Sequence, residues 1–291
     1  MIRSTSPGRT AAFAMIAGSA VGMLAFASPA SAWITNASDP FLTIRAQTGS
    51  SVGIVTIPLG DVFTGDFDGD SDVDQYFWFD FQRPIYEGVN ANSGNVVATL
   101  VDIIILTGRN LVDVDGAGPS NEMEMRWGND ISFTVLAGAG GTSFEFLGPL
   151  LTFDNIQNAR ASASAGFVGT DQTRDFGTLL TPGLPSGYAY EALINGSPFQ
   201  QYVDAPLGSL LPAANFSEAF NMDPLDDNDG DPTNGIFRNL NGSAFSSQVH
   251  VKFDLSSEDT AGFSSQFSVA PAPSGALLLG LSGLILGRRR R

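Results

Sequence analysis

The sequence predicts an all-β fold, an antiparallel β-sandwich with the jelly roll as one form of it. Three observations predict it. Apolar and polar residues alternate with period two along many short stretches, which sets one side of a strand on a core and the other in water. Glycine (33 residues) and phenylalanine (22) are abundant while Lys252 is the only lysine, a balance that favours turns and strands over helices. Gly-rich breaks separate the alternating stretches.

Taken in chain order, "SVGIVTI" reads as an early strand. "DQYFWFDF" sets Phe77, Phe79 and Phe81 against Tyr76, Trp78 and Asp80. "VVATLVDIIIL", residues 96–106, is apolar on both faces apart from Thr99 and Asp102 and reads as a central strand. "EMEMRW" places Met123, Met125 and Trp127 opposite Glu122, Glu124 and Arg126. "ISFTVLA" and "SFEFLG" follow as strands, with "GAGG" at 138–141 as a tight turn. Residues 179–220 are rich in Pro, Gly and Ser and read as long loops, with one short helix around "NFSEAF". "QVHVKFDL" is the clearest strand: Val249, Val251, Phe253 and Leu255 face one way and Gln248, His250, Lys252 and Asp254 the other. Neither a linker run nor a fixed-period repeat divides residues 33–269, so they are expected to form one domain.

Charge narrows the function classes. The chain of 291 residues has 14 basic residues against 30 acidic ones. Six of the basic residues lie at the ends (Arg3, Arg9 and Arg288 to Arg291), which leaves 8 against 30 and a net charge near −22 for the body. Such a field repels nucleic acid and anionic headgroups, so no nucleic-acid partner is expected. It suits solubility, cation binding or contact with a polysaccharide. Absence of cysteine excludes disulfides, zinc–thiolate sites and thiol nucleophiles.

Two acidic stretches offer cation chemistry. In "GDFDGDSDVDQ", Asp66, Asp68, Asp70, Asp72 and Asp74 alternate. Carboxylates this close repel one another unless a cation lies between them, and calcium takes about six to eight hard oxygen ligands. The stretch is similar to the first part of an EF-hand or dockerin loop, with Asp66, Asp68 and Asp70 as the first ligands and Asp72 giving its carbonyl. Phe77 then stands where the bidentate acid belongs, Ser71 replaces the turn glycine, and a strand follows instead of a helix. A calcium site in a β-loop and a solvated acidic hairpin are the two readings that remain. "DPLDDNDGDPTNG" (Asp223, Asp226, Asp227, Asp229, Asp231) resembles one copy of the Asp-rich calcium repeats of thrombospondin type, with loose spacing; a solvated turn is the other reading.

Catalytic patterns are scarce, and no catalytic residue is assigned. His250 is the sole histidine, so any Ser-His-Asp triad must use it. Gly49-Ser50-Ser51-Val52-Gly53 spells G-x-S-x-G, but β-type "IVTI" follows where a nucleophile elbow needs a helix. Glu87, Glu145 and Glu191 lie outside the turn-like segments, yet nothing in the sequence pairs any of them for glycoside hydrolysis. P-loop and dinucleotide fingerprints are absent. Of the tryptophans, Trp78 is the best candidate for an exposed ring able to stack on a sugar, because it lies opposite the phenylalanine face.

Both ends read as addresses. Residues 1–32 carry a positive start, an apolar run and Ala30-Ser31-Ala32, the parts of a secretory signal peptide, with a signal peptidase expected to cut between Ala32 and Trp33. Residues 270–291 end in "APAPSGALLLGLSGLILGRRRR". Pro271 and Pro273 stop any preceding strand, Ser274 can cap a helix, and leucines ring the apolar stretch without a polar face. Residues 275–287 span about 20 Å as a helix, short of a bilayer core, but snorkelling arginines extend the reach of a transmembrane helix. Arginines held in the cytoplasm fit the positive-inside rule.

This tail resembles the PEP-CTERM sorting signal, with Pro271-Ala272-Pro273-Ser274 in the motif position and Ala272 where the family has Glu. The resemblance covers the tail alone. It implies recognition by an exosortase-type membrane protease, cleavage near the motif, and delivery to the bacterial surface or an exopolysaccharide matrix. The expected function is therefore that of an exported, non-enzymatic cell-surface or extracellular-matrix protein that binds calcium, glycan or both. A secreted carbohydrate-active enzyme, hydrolase or lyase, on the same fold is the alternative. A matrix component without a ligand is a third.

Overall fold

The computed structural model describes residues 40–65, 74–79, 82–113, 123–172, 177–209, 216–222, 237–240 and 242–271. The signal segment with its Ala32/Trp33 junction and residues 272–291 of the tail lie outside them, as do the terminal helices expected there. Among the described residues no α-helix forms; a 3-10 turn at Leu59–Asp61 is the one helical element. None of their helices is long and apolar enough to cross a membrane, which says nothing of spans made of strands.

Strands follow one another along the chain. They are β1 (Pro40–Thr48), β2 (Ser51–Pro58), β3 (Phe63–Gly65), β4 (Asp74–Phe79), β5 (Arg83–Tyr86), β6 (Gly88–Val89), β7 (Val96–Asp113) and β8 (Met123–Ala137). Then come β9 (Thr142–Leu147), β10 (Leu151–Ile156), β11 (Ala159–Asp171), β12 (Gly177–Pro182), β13 (Tyr190–Ile194) and β14 (Ser197–Tyr202). Last are β15 (Leu207–Ser209), β16 (Phe216–Met222), β17 (Arg238–Asn239), β18 (Ala244–Leu255) and β19 (Thr260–Pro271). Sheet A runs β14-β13-β18-β9-β1-β2-β6, with β10 and β12 also on β18 and β15 on β12. Sheet B runs β16-β11-β19-β8-β7-β4-β3, with β17 on β11 and β5 on β7. Every pairing is antiparallel except the short β2–β6 contact.

The two sheets form a sandwich, and the period-two pattern explains why. On β18, Val249, Val251, Phe253 and Leu255 are buried, as their alternation requires. On β9, Phe144 and Phe146 point inward and on β8 Ile131, Phe133 and Val135 do so from the other sheet. Phe133 and Phe146 stack across the interior, and Phe167 meets Phe253 edge-on at 5.7 Å. Burying each such ring contributes about 1.5–3 kcal/mol.

Opposite the Tyr190–Tyr202 stack the core changes character. β11 sends in Ala159, Ala161, Ala163 and Ala165, all buried. These small side chains leave room for the tyrosines, and Tyr202 Oη donates to the Ala163 carbonyl at 2.6 Å.

Two expectations need correction. Residues 179–220 are not long loops: β12 to β16 lie in or across them. The "NFSEAF" segment is no helix; its Phe216 to Phe220 belong to β16, paired with β11. Pairing to a neighbouring strand outweighs the weak helical preference of Glu and Ala there. Strand β7 is a central strand, as its sequence predicts, and its outer face meets water at Ile104, 42 % exposed. G-x-S-x-G closes the β1–β2 hairpin, with Thr48 paired to Ser51 and Gly49 at φ +58°. No elbow forms.

The register gives the sandwich two poles. At one, the β1–β2, β8–β9 and β18–β19 turns are tied together: Thr48 Oγ1 and Thr142 Oγ1 lie 2.7 Å apart and Gly140 N–H donates to Ser257 Oγ (2.8 Å). At the other, β1 starts at Pro40 and β19 ends at Pro271. Strand β19 carries Ala270 and Pro271, assigned from sequence to the tail, into pairing with Arg160 and Ala159. Ala270 is fully buried.

Candidate functional site

Two side-chain arrangements on opposite outer faces could carry function. The first lies on sheet B at the β3–β4–β7 edge. Because Phe77 and Phe79 pack on the core, the alternating Tyr76 and Trp78 must face out. Register then decides their neighbours. Phe63 lies directly opposite Tyr76, Leu106 opposite Tyr76 on the other side, and Ile104 opposite Trp78. Directly opposed Cβ atoms sit about 4.5–5.5 Å apart, so these side chains form one platform. Phe63 is 62 % exposed and Trp78 47 %. The exposed ring expected at Trp78 is there, and Phe63 joins it. Phe63 sits before the acidic run without alternation of its own, so only its pairing to Tyr76 reveals it.

In sequence the first acidic stretch runs between the two strands that carry Phe63 and Tyr76. Strand β3 ends at Gly65, and β4 starts at Asp74, its register partner. Asp66, Asp68, Asp70 and Asp72 lie between them, outside the described residues; of Asp74 the backbone is placed. Asp223, Asp226, Asp227, Asp229 and Asp231 also lie outside, between β16 and β17 on the opposite edge of sheet B. Six strand steps, about 29 Å along the sheet, separate the strands that carry the two acidic segments. Among the described residues no group of three or more His, Cys, Asp or Glu side chains could hold a metal.

The second arrangement lies on the outer face of sheet A. Arg45, Glu145 and Lys252 are register partners across β1, β9 and β18. His250 Nε2 and Glu145 Oε1 are 3.1 Å apart. Lys252 Nζ is 3.6 Å and Arg45 Nη1 3.9 Å from Glu145 Oε2. Arg45 Nη2 donates to Gln47 Oε1 at 2.7 Å. Next to His250 on β13, Glu191 accepts from Gln201 Nε2 at 2.6 Å. The row is half-buried, with side-chain exposures between 21 % and 37 %.

Sequence patterning placed His250 and Lys252 on a polar strand face but left Glu145 unmarked and Arg45 unseen. Their meeting depends on strand order. Glu145 and Glu191 are separated by β18, about 9.6 Å across the sheet, with His250 and Lys252 on the strand between them.

At the turn pole two open hollows flank the strand ends. One, of about 510 Å³, is lined by Gln47, Thr142, Ser143, Thr181, Asp254 and Ser256 and continues the polar face of sheet A. The other, of about 490 Å³, is lined by residues including Val96, Leu136, Gln172 and Glu258.

No protein-family profile and no curated protein matches this chain. Among solved structures it is similar to a chain of infectious bursal disease virus, Gt strain, at 11 % identity over 89 % of this chain and 85 % of that one, TM-score 0.17. A chain of the Gx strain gives 10 % identity, 90 % and 88 % coverage and the same TM-score. Superposition that poor carries no argument about function.

Proposed function

We propose that this chain is an exported bacterial cell-surface or extracellular-matrix protein, non-enzymatic, that binds polysaccharide on the outer face of sheet B. The observation that carries the reading is the Phe63–Tyr76–Trp78 platform, with Phe63 and Trp78 exposed and Tyr76 half-buried between them, since sugar rings stack on such faces. The strong negative charge supports a neutral polymer over a polyanion.

In this reading a signal peptidase cuts after Ala32 and an exosortase-type protease acts near Pro271-Ala272-Pro273-Ser274, leaving the sandwich at the surface or in an exopolysaccharide matrix. Calcium is the ion for Asp66, Asp68, Asp70, Asp72 and Asp74, the run that links β3 to β4 in the sequence.

Affinity electrophoresis of the mature protein through gels of neutral polysaccharide tests the binding. Retardation weakened in Trp78→Ala, with unfolding midpoint unchanged, is the expected result; equal retardation of both proteins refutes the platform. Mass spectrometry of both mature termini tests the processing. Melting temperature in calcium against chelator tests the ion: binding to the native state raises it, and an unchanged value removes calcium.

A further inference from the structure

We propose that the Arg45–Glu145–Lys252 row on the outer face of sheet A is a second glycan site, recognising vicinal hydroxyls of a neutral sugar. The inference rests on the polysaccharide-binding reading above and extends it to the opposite face.

The row holds hydrogen-bonding capacity that the protein leaves unspent. Lys252 Nζ and Arg45 Nη1 flank one oxygen, Glu145 Oε2, at 3.6 and 3.9 Å, beyond hydrogen-bonding distance. Among the described residues the Lys252 ammonium makes no hydrogen bond, so its three donors face an acceptor without reaching it. A hydroxyl both donates and accepts. Set between Lys252 and Glu145, it accepts from the ammonium and donates to the carboxylate; its neighbour on the ring does the same between Glu145 and Arg45. Charge-assisted bonds of this kind are the stronger class.

The site is built before a ligand arrives. All three residues stand on paired strands in direct register. His250 fixes Glu145 through its other oxygen, and Gln47 fixes the second arm of Arg45. Glu145 and Arg45 therefore have little side-chain freedom left to lose on binding. Charge selects the ligand class. The strongly negative body disfavours an anionic sugar, while the Arg45 and Lys252 cations disfavour a metal ion. Gln47, Ser143 and Asp254 extend the polar face into the 510 Å³ hollow, room for a further sugar unit.

Sites on both outer faces of one sandwich would hold two polymer chains at once, making the protein a cross-linker. The test compares wild type, Trp78→Ala, Arg45→Ala/Lys252→Ala and the triple variant, each confirmed folded by circular dichroism and urea midpoint. Dextran, mixed-linkage β-glucan and galactomannan serve as neutral probes and polygalacturonate as the anionic one. Expected are a tenfold or greater loss of residual affinity when Arg45→Ala/Lys252→Ala is added to Trp78→Ala, and viscosity that wild type raises but neither parent variant does. The conservative Glu145→Gln, which keeps the shape of the row, is expected to weaken binding in the Trp78→Ala background as well. Complete loss in Trp78→Ala alone overturns the second site and leaves the platform standing. Retention in Trp78→Ala with loss in the double variant supports the second site and removes the platform. Wild-type preference for polygalacturonate overturns the neutral-sugar assignment, and no binding of any probe overturns both readings.

Discussion

Phe133 of sheet B and Phe146 of sheet A stack face to face with ring centroids 3.7 Å apart and planes 11° off parallel. The pair joins the sheets at the centre of the sandwich, and Phe263 packs on Phe133 at 4.9 Å from the side. Neither ring has water to fall back on. Phe146→Ala is expected to cost about 3–5 kcal/mol, lost transfer energy plus an unfilled cavity. Urea unfolding of the two proteins measures it, and a change below 1 kcal/mol would mean that the interior closes over the gap.

Gly138 starts the β8–β9 turn where backbone passes backbone. A Cβ there would lie 2.3 Å from the Val97 carbonyl oxygen, which cannot swing aside like a side chain. Gly138→Ala is expected to destabilise by about 1–3 kcal/mol. Gly60→Ala, where a Cβ meets nothing within 4 Å, is expected to stay within about 0.5 kcal/mol. Thermal melts of the pair separate local crowding from a general penalty for replacing glycine.

Asn195 holds the β13–β14 turn at φ +52°. Its Oδ1 accepts from the Phe245 and Ser246 amides, and its Nδ2 donates to Ser243 O at 2.8 Å. Asn195→Ala loses these bonds and strains the backbone, for roughly 1–3 kcal/mol. Asn195→Gly restores the dihedral freedom alone and is expected to cost less. Equal unfolding midpoints for the two variants would show that backbone strain contributes nothing.

Tyr190 is fully buried, and its hydroxyl, with the Ser265 hydroxyl beside it, makes no hydrogen bond of full geometry among the described residues. Burial, with Tyr202 beside it, holds its phenol well above the ordinary range. The sign follows. Above the ordinary phenol value near pH 10 the unfolded chain ionises while the folded one stays neutral, so stability falls as pH rises. Tyr190→Phe is expected to match or exceed wild-type stability at pH 7, since it removes an unpaired buried hydroxyl, and to flatten the alkaline decline. Denaturant midpoints at pH 8 and pH 11 for both proteins decide it.

Much of the fold was legible because alternation is a local property. Each residue of "QVHVKFDL" is assigned to a face by its neighbours two places away, and the structure buries the four expected. β11 was harder to read. "ARASASAGF" puts alanine where other strands put phenylalanine, and a core of small side chains has almost no hydrophobic signature. It makes sense once Tyr190 and Tyr202 are seen filling the space from the facing sheet. Residues 179–220 misled for a similar reason: their Pro and Gly mark the turns between short strands, and sequence alone weighed the punctuation more than the strands.

By itself, the sequence determined which side chains of the clearly alternating strands face inward, the acidic character of the chain and Trp78 as the candidate outward ring, because each follows from composition or from a two-residue period. Tertiary structure decided who meets whom. His250 and Glu145 lie 105 residues apart, and Phe63 reaches Tyr76 across a hairpin whose register no local pattern specifies. Strand order and register are set by burying both sheets against each other at once. A cross-strand charge row or an aromatic platform therefore exists only after the whole sandwich has closed.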